Sequence, residues 1–142
     1  MSAWPTPVEA LKRLSAELRG PQIFAKRDDL GSLALGGNKL RKLEYLIADA
    51  QRHGCDVILT GGALQSNHAR LTAAVAARCG LDCVLVLKDE VRGRSPEYAY
   101  SANRFLDDLL GAKIDSIGQD ESVLDTLALR AEALVQKGRR PY

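Results

Sequence analysis

Residues 56–80 read DVILTGGALQSNHARLTAAVAARCG. Asp56–Thr60 is a short apolar run rich in β-branched side chains, and it stops at a glycine pair, which predicts a buried strand. GGALQ, residues 61–65, reads as a turn. Ser66 or Asn67 is placed to cap a helix over the following apolar residues, and Gly80 closes that helix. Cys83–Lys88, CVLVLK, is a second apolar strand. Both strands are continuously apolar rather than alternating, as in a parallel sheet covered on both faces.

The same rhythm extends outward. Upstream, Asn38 is placed to cap a helix with apolar residues at Leu40, Leu43, Leu46, Ile47 and Ala50, one helical face, ended by Gly54. Downstream, Ser95 caps and Pro96 opens a third helix running to Gly111. KIDSIG, residues 113–118, is a weaker third strand. Asp120–Lys137 is a fourth helix with Leu124, Leu127, Ala131, Leu134 and Val135 turned inward. The predicted fold class is α/β, an open parallel sheet with helices on both faces in three layers. Right-handed crossovers collect the strand-to-helix turns at one sheet edge, where ligands of such folds bind. GGALQSNH is one of those turns.

The first twenty residues hold a proline-punctuated lead and a short helical stretch ending at Gly20-Pro21. QIFAKRDDL is strand-like before it turns into charge, and GSLALGG is a loop. The chain has 142 residues, 46% of them hydrophobic and 27% charged, enough for one domain with a core. A net charge of +2, with acids and bases interspersed, argues against nucleic acid. No apolar run approaches the roughly 20 residues of a membrane span. The N-terminal lead lacks a signal-peptide core. Three cysteines, Cys55, Cys79 and Cys83, without a CxxC pair read as reduced cytosolic thiols, so a cytoplasmic location is expected. The two histidines are far apart, so no metal site is expected.

Two features carry chemistry. Lys39 stands at a helix start behind Gly36 and Gly37. A protonated amine is unwelcome there because the helix dipole favours negative charge, and a neutral amine is what imine chemistry or a general base requires. The plain alternative is a solvated lysine after a loop. The second feature is the turn Thr60–Arg70, whose glycines and helix start offer free N–H groups to a carboxylate or phosphate. Ordinary capping explains the same residues. It is neither a Walker loop nor a GxGxxG fingerprint. Lys26–Asp29, KRDD, reads as a surface salt-bridge group. His68 reads as a surface or capping residue, the cysteines as core filler, and Tyr98, Tyr100 and Phe105 as packing of the third helix.

KRDDLGSLALGGNKLRKLEYLIADA followed by LTGGALQSNHARLTAAVAARCGL closely resembles the pyridoxal-phosphate family that contains D-cysteine desulfhydrase and 1-aminocyclopropane-1-carboxylate deaminase, within the tryptophan-synthase-β-like fold type II group. The likeness runs from TPVEALKRLSAELRG to GRRPY, with both motifs in order. It implies pyridoxal 5'-phosphate as cofactor, held as a Schiff base by Lys39. Asn67 would bond the ring hydroxyl, Lys42 would approach the phosphate, and Asn38 would orient its neighbours. Ser66 would be catalytic, against the substrate or cofactor ring. Gln65, Ser66, Asn67 and His68 would receive the substrate carboxylate.

The implied activity is that of a lyase or deaminase on a small amino acid, such as D-cysteine to pyruvate, sulfide and ammonia. The deaminase branch has glutamine where this chain has His68, which favours the desulfhydrase side over 1-aminocyclopropane-1-carboxylate deaminase. Cysteate sulfo-lyases share the histidine pattern. A non-enzymatic alternative is an inactive α/β module that binds an anion at the Gly61–Asn67 turn. The family is more than twice this length. Residues 36–142 are therefore expected to form the smaller α/β domain with the cofactor lysine, and residues 1–35 to pack on a larger domain. The full-length protein is expected to be a homodimer, and this chain alone to turn over little.

Overall fold

The computed structural model describes residues 4–91 and 93–142. In chain order the regular elements are β1 (Val8–Ala10), α1 (Lys12–Leu18), β2 (Phe24–Lys26), α2 (Lys39–Arg52), β3 (Val57–Ala63), α3 (Asn67–Cys79), β4 (Asp82–Lys88), α4 (Ala102–Leu109), β5 (Lys113–Ile117) and α5 (Val123–Gln136). β3, β4 and β5 form a parallel sheet in that order, with Ile58 opposite Cys83 and Leu85 opposite Ile114. β1 and β2 form a separate antiparallel pair.

Strand periodicity sorts the helices onto two faces. Ile58, Cys83, Leu85 and Leu87 share one core with Leu40, Leu43 and Ile47 of α2 and Leu71 and Val75 of α3. Gly61 points to the other face. A Cβ there would lie 2.3 Å from Val123 Cγ1 and 3.3 Å from Leu127 Cδ1, both on α5. The three-layer α/β expectation is met.

The end of the chain determines where a ligand can sit. After β5, α5 carries the backbone back across the sheet, and Pro141 bridges Val57 in parallel on the side of β3 away from β4. Tyr142 N–H donates to Val57 O at 3.0 Å, and Leu59 N–H donates to Tyr142 O at 2.9 Å. Arg139 pins this return by donating to Asp56 Oδ2 at 2.9 Å and Asp82 Oδ2 at 2.7 Å. The connections thus leave β3 in opposite directions. The C-terminal end of β3 is the topological switch point at which open α/β sheets bind ligands.

Four local expectations are corrected. β3 does not stop at Thr60. Gly61, Gly62 and Ala63 stay extended, paired with Val86, Leu87 and Lys88, and the turn begins at Leu64. The glycines are there for close packing: Val123 occupies the space beside Gly61, and Ser66 Oγ lies 3.0 Å from where a Cβ of Gly62 would be. The third helix is not continuous. A 3-10 turn over Pro96–Tyr100 is broken at Ser101 before α4 begins. Gln65 causes the break, since its amide takes the carbonyls of Tyr98 and Ser101 and the N–H of Asn103. Tyr100 and Phe105 consequently face outward.

Leu124 and Val135 are exposed rather than inward, because α5 meets the sheet along one side only, and Leu46 on α2 is exposed as well. Finally, KRDD is more than a surface ion-pair group. Asp28 accepts from Arg41 Nε and Nη2, both at 2.6 Å, and from Thr6 Oγ1 at 2.7 Å. Arg41 also stacks on Trp4, 4.2 Å from its ring centre, and Trp4 Nε1 donates to Glu44 at 2.8 Å. The N-terminal segment from Trp4 is thereby tied to α2.

α4 buries a carboxylate. Asp107 has 0% exposure, and neither oxygen has a hydrogen-bond partner among the described residues. Burial pushes its pKa up to about 7; Asp108 adds to the rise, while Arg104 and Arg70 oppose it. The native state then keeps a proton that the unfolded chain releases near pH ~4. Stability should fall as pH rises from that value to about 7. Asp107→Asn should abolish this decline and leave the variant the more stable form at pH 8. Urea midpoints at pH 5 and 8 measure it, and an unchanged decline in the variant would refute it.

Candidate active site

The loop before α2 is held from two sides. Ala34, Leu35, Gly36 and Gly37 all have positive φ, between 44° and 126°. At Gly36 glycine is compulsory, since a Cβ would lie 2.5 to 2.9 Å from the carbonyl oxygens of Asp29, Gly31 and Asp28. Gly37 N–H donates to Asp28 O at 2.8 Å. From α3, Arg70 donates through Nη1 to Ala34 O and through Nη2 to Gly36 O, the latter at 3.0 Å. Lys39 follows as the first residue of α2, half-buried. It is bracketed by Gly37 and Arg41, which both bond Asp28.

Asn38 does not cap α2. Its backbone is already helical and its side chain makes no capping bond. Leu40 N–H reaches Gly37 O instead, at 3.3 Å, so the glycine loop itself closes the helix start. Asn38 and Lys42 are exposed.

α3 starts at the switch point. Ser66 is its cap, with Oγ accepting from Ala69 N–H at 3.2 Å, and Asn67 is the first helical residue. The N–H groups of Asn67 and His68 precede the first intrahelical bonds and are available to an anion. His68 is turned back toward β3, with Nε2 3.0 Å from Thr60 Oγ1 and Nδ1 buried without a partner among the described residues. Burial, then the ammonium charges of Lys42 and Lys39, pull its pKa below the ordinary value. The two lysines therefore act electrostatically on His68, and Arg70 ties the loop before α2 to the first turn of α3, so the two helix starts share one corner.

Lys42→Met should raise the His68 pKa, read by NMR titration of its ring protons. A value unchanged from the parent would place Lys42 away from this corner.

Gln65 is fully engaged in structure, with both ends of its amide bonded to residues 98–103. Two residues that the motifs did not single out matter here. Arg70 holds the Lys39 loop, and Asn103 donates to Gln65 O at 2.8 Å and Asn67 Oδ1 at 2.9 Å. The HAR of the second motif gave a faint signal for Arg70. Nothing marked Asn103, which lies 36 residues from its partner.

The donor set fits a small dianion with an aldehyde. It combines an amine on a rigid helix start, a second ammonium one turn on, a hydroxyl and two first-turn N–H groups. Ser66 Oγ sits where a side chain on residue 62 would otherwise be, so the glycine keeps the floor of this corner low. Among the described residues, no cluster of metal-ligating side chains and no helix long and apolar enough to cross a membrane is present.

The chain has relatives both in sequence and in fold. The chain is 51% identical to D-cysteine desulfhydrase of Klebsiella pneumoniae over 141 residues, covering 97% of the chain and 42% of the relative. The enzyme of the same name from Salmonella newport is 50% identical over the same shares. The chain thus spans about two-fifths of the length of these curated relatives. Among solved structures, an ACC deaminase homologue superposes with a TM-score of 0.85 at 38% identity, covering 98% of this chain and 41% of that one. Escherichia coli diaminopropionate ammonia lyase, at 21% identity and a TM-score of 0.66, shares the fold. The family model described as pyridoxal-phosphate dependent enzyme matches residues 1–142, and the chain belongs to that family.

Proposed function

We propose that this chain carries the cofactor lysine and one wall of the active site of a D-cysteine desulfhydrase-like lyase acting on a small amino acid. The observation that supports it best is the corner itself: Lys39 on a clamped helix start, with Lys42, beside the open N–H groups of α3 at the sheet's switch point. The relatives named D-cysteine desulfhydrase support the substrate class.

When bound, pyridoxal phosphate supplies an electron sink for chemistry at the α-carbon of an amino acid. The chain's residues do the rest. Lys39 Nζ would hold the cofactor, and its amine would be the group placed to accept the α-proton of the substrate. The N–H groups of Asn67 and His68, with Ser66 Oγ, receive the substrate carboxylate. Lys42 would draw in the phosphate, Asn67 would meet the ring hydroxyl, and Asn38 would orient its neighbours. Gln65 acts by shaping the turn. Residues 36–142 form the smaller domain in this reading and residues 1–35 its contact with a larger one. The whole protein is a cytoplasmic homodimer that needs its remaining length for full turnover.

The test is chemical. Pyridoxal phosphate is added, reduced onto the protein with borohydride, and the modified lysine mapped by mass spectrometry. Label on Lys39, abolished by Lys39→Ala, is expected. Label spread over surface lysines and unaffected by that substitution would refute the assignment.

A further inference from the structure

Asn67 is exposed, and which end of its amide faces the ligand decides what it can bind. Its orientation follows from groups whose chemistry is unambiguous. Asn103 N–H is a donor, so the atom of Gln65 it meets at 2.9 Å is the amide oxygen. The Gln65 nitrogen then donates to two carbonyls, Tyr98 O at 2.8 Å and Ser101 O at 3.1 Å. Gln65 O is an acceptor, so the Asn103 side-chain atom 2.8 Å from it is Nδ2. The other proton of that Nδ2 reaches Asn67 at 2.9 Å, and the atom receiving it is Oδ1. Every bond but the last is anchored on a backbone N–H or C=O, the last follows from the Asn103 amide those bonds fix, and no flip of a single amide keeps the set satisfied. Asn67 Nδ2 is left directed away, with no acceptor bonded among the described residues.

We infer that Asn103 is a positioning residue, which fixes Asn67 so that it offers a donor, and only a donor, to the ring oxygen of the cofactor. The ligand half of this inference rests on the reading proposed above; the amide orientation does not. The ring oxygen met by a fixed N–H is favoured as the anion, because that form accepts more strongly. α4 thereby joins the site: it begins next to a broken 3-10 turn because the residues that break it also set the Asn67 amide.

Two variants separate positioning from general damage. Asn103→Ala frees the Asn67 amide. The carboxylate of Asn103→Asp can only accept, so Asn67 turns its nitrogen inward and its oxygen outward. Both are isotope-labelled and titrated with pyridoxal 5'-phosphate and with its 3-deoxy analogue, following the side-chain amide signals of Asn67, so weak binding suffices. Asn103→Ala should move the Asn67 side-chain signals before any ligand is added and weaken pyridoxal phosphate roughly tenfold. Asn103→Asp should weaken it further, and the analogue should change less than about twofold in either variant. Equal losses for both ligands, or Asn67 signals unmoved in Asn103→Ala, would overturn the inference. Should both variants fail to fold, a crystal structure of the parent chain finer than about 1.2 Å decides it, by which atom of Asn67 faces Asn103. Failure to label Lys39 with borohydride would refute the proposed function and leave the amide result standing.

Discussion

Replacing Arg70 by methionine should cost roughly 3–5 kcal/mol and loosen the loop that carries Lys39. Arg70 is 5% exposed, on α3, and its two donors to Ala34 O and Gly36 O hold a run of four positive-φ residues. Ala34 and Leu35 each carry a side chain in that conformation, at about 1–3 kcal/mol apiece, and only over-determined surroundings keep them there. Methionine fills the stem's volume and removes the head. Two carbonyls then lose their donor, and Asp107 loses one of the cations that temper its burial. Arg70→Lys should recover only part of the loss, since one ammonium does not span both carbonyls as a planar fork does. Urea midpoints and amide exchange at residues 34–40 measure this. Full stability and full protection in Arg70→Met would show that the loop holds itself.

Gly61→Ala should cost about 3 kcal/mol although it adds one carbon. The new Cβ would stand 2.3 Å from Val123 Cγ1 and 3.0 Å from Val86 O. Lifting α5 relieves the contact with Val123, whereas the carbonyl, on β4 and within the sheet, stays in place. Val123→Ala in the same background should restore part of the loss by removing the nearer clash, and the remainder measures the carbonyl. A parent-like urea midpoint with an unchanged slope in Gly61→Ala would mean α5 is not seated on the sheet as described.

The pattern of elements was legible because it rests on local chemistry. Leu40, Leu43, Ile47 and Ala50 recur at helical spacing and are all buried in α2, and VILT and CVLVLK became neighbouring parallel strands. The candidate site was legible as two motifs and no further. What bound them together was not, because Arg70 to Gly36 and Asn103 to Asn67 are pairings between residues more than thirty positions apart. Such contacts leave no periodicity. The inward face of α5 was misread at Leu124 and Val135 for a related reason, since periodicity gives a stripe but not how much of it a partner covers.

By itself, then, the sequence determined the order of strands and helices, the parallel sheet and the two helix starts where chemistry could occur. Burial period and turn residues act over a few positions, so they survive in one dimension. Only the tertiary structure decided that Gly61 and Gly62 extend a strand instead of turning it, that the Gln65 amide bonds residues 98–103 where the third helix breaks, and that Asn103 meets the oxygen of Asn67. Each of these depends on which atom occupies the neighbouring space, and that is set by packing between distant segments.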